Sequence, residues 1–155
     1  MNETVYIVNG ARTPMGGLQG CFSSISAVEL GSAAIEETLN RSCIEKKEVQ
    51  EVIMGCVLPG GLRQGPARQA AIQAGIPVET GASTINKLCG SGMKATMLAF
   101  DSIKAGSNQL VIAGGMESMS NAPYLLPKAR QGIRMGHGEI QDSMFTDGLE
   151  DASSA

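Results

Sequence analysis

The segment "NKLCGSGMKA", Asn86 to Ala95, places a cysteine directly before Gly90, with Gly92 close behind, where a strand-like run gives way to a helical pattern. A thiolate is the reactive form of cysteine, and a helix N-terminus favours it through partial positive charge and unpaired amides. Cys89 in that place has the chemistry of a covalent nucleophile, and Gly90 and Gly92 leave the backbone uncrowded for a bulky thioester. Nearby amides would steady the oxyanion of an acyl-transfer intermediate. The plain alternative is a buried cysteine that packs as a small apolar residue, a common state of a free thiol.

The same residues admit a rival reading. Gly90, Gly92 and Ala95 match G-x-G-x-x-A after a strand, with Glu117 at the end of the next strand, which outlines a dinucleotide-binding domain. Against it, "STINKLC" is polar for the central strand of such a sheet. Two further motifs fail on spacing. Gly60 and Gly65 are separated as in a phosphate loop, but Pro66 stands where lysine is required; Ser91 lacks the glycine two residues earlier that a hydrolase elbow needs. His137 in "RMGHGE" is a candidate general base, yet nothing local pairs it with Cys89, and it reads as a solvated loop residue.

Composition excludes several classes. Twelve basic against fifteen acidic residues give a net charge of -3, with two tyrosines, three phenylalanines and no tryptophan, so neither a basic track nor a stacking platform offers itself to nucleic acid. Cys21, Cys43, Cys56 and Cys89 form no CxxC pair and there is a single histidine, so no metal site is expected; scattered thiols suit a reducing compartment. "MNETVYIVNG" has no basic start, and no apolar run approaches the ~20 residues that span a bilayer, so the expectation is a cytoplasmic protein without membrane contact. With 155 residues, 43% of them apolar, the chain has enough material for one packed domain.

The elements that must position Cys89 follow from periodicity. Thr4 to Gly10 has the apolar, β-branched pattern of a first strand, Glu51 to Leu58 of a second, "GASTINKLC" of a third and Gln109 to Gly115 of a fourth. Between them, Ser26 and Glu29 form a capping box ahead of a helix with Val28, Gly31, Ile35 and Leu39 on one face. Pro66 suits the first turn of "PARQAAIQAG", and "SGMKATMLAFDSIKAG" predicts a helix with Met93, Met97, Phe100 and Ile103 turned inward and Gly106 as its stop. The alternation predicts an α/β layered fold, a mixed, mostly parallel sheet with helices on both faces. Met116 to Ala155 breaks the pattern, with two prolines, several glycines and four of the nine methionines, which suit an adaptable acyl pocket or flexible core filler.

Taken together, "ARTPMGGLQG", "PARQAA", "NKLCGSGMKA", "AGGMESMSNAPY" and "DGLED" resemble the N-terminal half of the thiolase family, in its acetyl-CoA acetyltransferase branch. The resemblance implies that Cys89 accepts the acyl group of an acyl-CoA, with its own backbone amide in the oxyanion hole. It also implies a ping-pong exchange between two acetyl-CoA molecules and acetoacetyl-CoA, with CoA thioesters as substrates and no other cofactor. It further implies an N-terminal α/β domain over 1–118 and the start of a loop region over 119–155, where Leu149 of "DGLED" matches a substrate-lining position. His137 matches no catalytic histidine of the family. The expected partners are a second copy of the chain, as in a family tetramer, or a complementary C-terminal half. That half brings an activating histidine, a second acid-base cysteine and an asparagine-containing oxyanion site, none of which has a counterpart here, so the 155-residue chain alone is expected to be inactive. A non-catalytic remnant or binding module with the same fold is the alternative.

Overall fold

The computed structural model describes residues 4–153; Ser154 and Ala155, the end of the region expected as a loop, lie outside the described residues. The first helix, α1 (Ala27–Ser42), starts at the expected capping box: the Glu29 amide donates to Ser26 Oγ at 3.2 Å, and the Ser26 amide donates back to the Glu29 carboxylate at 2.8 Å. The Ser26 amide, and then the Ser26 hydroxyl, donate to the Glu29 carboxylate and hold it below its ordinary pKa. Val28, Gly31, Ile35 and Leu39 are all buried, as their spacing requires.

Strand β1 (Glu51–Gly55) is central in a three-stranded parallel sheet ordered β2-β1-β3, with β2 (Gly81–Ile85) on one side and β3 (Val111–Gly115) on the other. The crossover through α2 (Pro66–Gln73) runs outward from β1 to β2, and the crossover through α3 (Ser91–Lys104) runs back past β1 to β3. Right-handed crossovers in opposite directions place their helices on opposite faces. Alternation along β1 agrees: Val52 and Met54 join the core formed with α1 and α2, whereas Gly55 abuts Ser91 at the start of α3. Helix α2 takes its cap from outside itself, since Gly65 has no side chain and the Ala67 amide donates to Thr84 Oγ1 of β2 at 2.9 Å.

Two expectations are corrected. Residues 4–10 form no strand; Tyr6 and Ile7 are 77% and 87% exposed. Their composition favours a strand, but a ladder needs a neighbouring backbone, and among the described residues none pairs with this segment. Helix α3 also faces the other way from the expected stripe. Ser91, Ala95 and Ala99 are its buried residues, because close packing against β1 and β3 admits only small side chains, so Met93, Met97 and Phe100 project outward and Ile103 is only half-buried.

Beyond β3 the chain is irregular, as its composition suggests, apart from a short antiparallel ribbon of β4 (Tyr124–Leu125) and β5 (Gln141–Asp142) and a wide helical turn at Phe145–Leu149. Among the described residues no helix is long and apolar enough to cross a membrane.

Candidate active site

Cys89 stands in the tight connection from β2 to α3, at the carboxyl end of the parallel sheet. Open α/β sheets bind their ligands at that end. The turn is made by Leu88, which adopts a left-handed φ of 48° despite its side chain. Local bonds stabilise that geometry. The Lys87 amide donates to Ser91 Oγ at 2.8 Å, the Ser91 hydroxyl donates to the Leu88 carbonyl at 2.6 Å, and the Leu88 amide donates to Asn86 Oδ1 at 2.9 Å. Cys89 is left exposed rather than buried, which removes the reading of it as core filler.

The expectation of several free amides around Cys89 narrows. The Gly90 and Ser91 amides donate to the Lys87 and Leu88 carbonyls at 3.1 and 2.9 Å, so the turn consumes them. Gly90 and Gly92 meet only ordinary contacts where a Cβ would stand. The glycine that close approach requires is Gly55: a Cβ there would lie 2.5 Å from Ser91 Cβ and 2.6 Å from the Ser91 carbonyl carbon. Its only sequence signal is a glycine ending an apolar strand.

A cavity of about 480 Å³ opens beside Cys89. Its apolar wall includes Leu58, Leu88, Met119, Met144 and Leu149, and Arg12 adds a cation. The methionines at this site therefore come from the irregular ending, while Met93 and Met97 are on the outer surface. Leu149 and Cys89 share the cavity; His137 is exposed and is not among its lining residues.

The "GMESMSN" run, singled out by its composition, is used for bracing. Glu117 accepts the Val57 amide on Oε2 at 2.7 Å and the Leu58 amide on Oε1 at 3.0 Å. Ser118 Oγ and Asn121 Nδ2 both donate to the Ile25 carbonyl at 3.0 Å, and Ser120 Oγ accepts the Gln19 amide at 2.8 Å. The Glu117 carboxylate is thus committed to backbone, not free for the ribose that the dinucleotide reading would give it. Buried Cys56 lies beneath it, Sγ 3.5 Å from Oε1. Burial, then the Glu117 charge, then the hydrogen bond push its thiol up to about 12, so Cys56 stays protonated. Sequence reasoning gave no bracing role to Glu117 or Asn86: the Glu117 partners, and the Val57 carbonyl that Asn86 Nδ2 reaches, are main-chain groups distant in sequence and leave no residue pattern, whereas the bond from the Leu88 amide to Asn86 Oδ1 is a local turn signal that went unread.

The fold and the site define a class, an α/β domain that presents a cysteine and an apolar cavity at the carboxyl end of a parallel sheet. The family model described as "Thiolase, N-terminal domain" matches residues 5–155, and the chain belongs to the thiolase family. Acetyl-CoA acetyltransferase 2 of Arabidopsis thaliana is 54% identical over 95% of this chain and 36% of that protein. An acetyl-CoA acetyltransferase of Pseudomonas aeruginosa is 49% identical over 97% of this chain and 38% of its own length. The Acat5 thiolase of Ascaris suum, solved in complex with coenzyme A, superposes with a TM-score of 0.91 at 39% identity, over 95% of this chain and 38% of that one. The chain therefore spans well under half the length of these relatives.

Proposed function

We propose that this chain carries the acyl-accepting part of a thiolase reaction, with Cys89 as nucleophile and acyl-CoA as substrate. The observation that supports this most directly is the exposed thiol of Cys89 opening on the apolar cavity that Leu149 also lines. The thiolate attacks the thioester carbonyl, the C–S bond to CoA breaks, and CoA leaves as a thiolate that takes up a proton. The Cys89 amide is the proposed oxyanion donor, and Leu149 a wall for the acyl group. Condensation of two acetyl-CoA to acetoacetyl-CoA, or its reverse, needs a further base to form the second carbanion, and the cavity lining offers no histidine. The chain alone is accordingly proposed to be inactive in turnover, cytoplasmic, and completed by another copy or by a complementary polypeptide. Residues 1–118 would form the catalytic α/β domain and 119–155 the start of a covering loop region.

A non-catalytic binding module is the second reading, favoured by the outward stripe of Met93, Met97 and Phe100. Intact mass separates the two. An acetyl adduct after acetyl-CoA on the wild type, absent from Cys89→Ala, is the expected result; its absence from both would favour the binding module.

A further inference from the structure

Glu117 lies across the mouth of the sheet from Cys89, yet an unbroken series of hydrogen bonds joins them. The carboxylate takes the Val57 and Leu58 amides, one on each oxygen, at 2.7 and 3.0 Å. The Val57 carbonyl accepts Asn86 Nδ2 at 3.2 Å, and Asn86 Oδ1 accepts the Leu88 amide at 2.9 Å. Leu88 is the left-handed residue whose carbonyl begins the peptide bond to Cys89. Both ends of the Asn86 amide are therefore used, and both oxygens of Glu117.

From this path we infer that Glu117 is a positioning residue, which holds the loop after β1 so that Asn86 in turn fixes the Lys87–Leu88 peptide and, through the left-handed Leu88, the direction of the thiol on the next residue. The inference rests on the reading of Cys89 as nucleophile. A left-handed leucine persists only where its surroundings over-determine it, and Asn86 supplies one of those constraints from outside the turn. Charge-assisted bonds to main-chain amides are the strong kind, which suits Glu117 to anchor the series. A neutral carboxamide in its place would have to set an NH₂ against one of the two amides, a contact between donors.

The test uses the 155-residue chain as wild type, Glu117→Gln, Asn86→Ala and the double variant. Amide hydrogen exchange is followed by NMR, and iodoacetamide alkylation by peptide mass. Loss of one bond of this kind is expected to speed exchange at Leu88 roughly tenfold in either single variant, with Ala95 and Ala99 inside α3 unchanged. Alkylation of Cys89 is expected to slow in both, while exposed Cys21 and Cys43 keep their rates. A general loss of structure would move all three thiols together. The double variant is expected to match the more affected single variant, since residues in one series do not add.

Coupling is mutual, so Asn86→Ala should also speed exchange at Val57 and Leu58 with Glu117 intact. That arm decides the matter even where Glu117→Gln does not fold, because Asn86 is exposed and its replacement leaves the core untouched. Unchanged exchange at Val57 and Leu58 in Asn86→Ala, or strict additivity in the double variant, overturns the inference. Neither readout involves acyl transfer, so a missing acetyl adduct would count against the nucleophile reading while the positioning series stayed measurable.

Discussion

Two cysteines set opposite problems for their surroundings. Cys89 is exposed at a turn, while Cys56, 1% exposed, sits beneath the Glu117 carboxylate with its thiol pushed up to about 12 from an ordinary 9.0. In the folded chain that thiol keeps its proton over a range in which the unfolded chain releases it. Stability from this source is complete below about pH 9 and is lost as pH rises toward 12, with a slope of up to about 1.4 kcal/mol per pH unit. Urea unfolding of wild type and Cys56→Ala across that range should show wild type losing its advantage as pH rises. A constant gap between them would mean that Cys56 ionises normally in the fold. The residue scale is also where the sequence was most selective, for the place of Cys89 at a strand-to-helix turn was legible from the glycines that follow it, and Glu117 was legible as a motif residue but not as a brace.

At the scale of elements, the Cys89 turn depends on α3 starting hard against the end of β1. Gly55 permits this, since a Cβ would fall within 2.6 Å of Ser91 main chain that cannot swing aside. Gly55→Ala should therefore cost about 1–3 kcal/mol, the range for forcing extra carbon into a packed site, and should lower the urea midpoint without changing helix content. An unchanged midpoint would show that α3 shifts freely, which would also weaken the case for a fixed thiol. The elements carried by local signals were legible: the Ser26 and Glu29 box, Pro66 opening α2, Gly106 just beyond α3 with φ 77°, and the core face of α1. Those set by a neighbour were not. Residues 4–10 have strand composition but no ladder among the described residues, and α3 has two candidate faces, of which tight packing on the sheet selected the smaller side chains.

For the whole molecule that choice has a physical outcome. Met93, Met97 and Phe100, at positions that share a helix face, are 73%, 52% and 49% exposed, and Tyr6, Ile7 and Val8 add exposed apolar surface elsewhere, with no strand among the described residues paired to their segment. Lys104, 6.0 Å from the centre of the Phe100 ring, screens only the end of the stripe. An apolar stripe such as the one on α3 associates in water, because pairing removes it from solvent at roughly 25 cal/mol per Å² while single exposed residues gain little. The chain is expected to sediment above monomer mass at micromolar concentration, and Met93→Glu combined with Met97→Lys is expected to return it to a monomer with the same circular dichroism, since neither side chain supports the fold. A wild-type monomer would show that the stripe is too small to hold two copies. It would also leave a complementary polypeptide, rather than a second copy, as the partner that the apolar face of α3 favours.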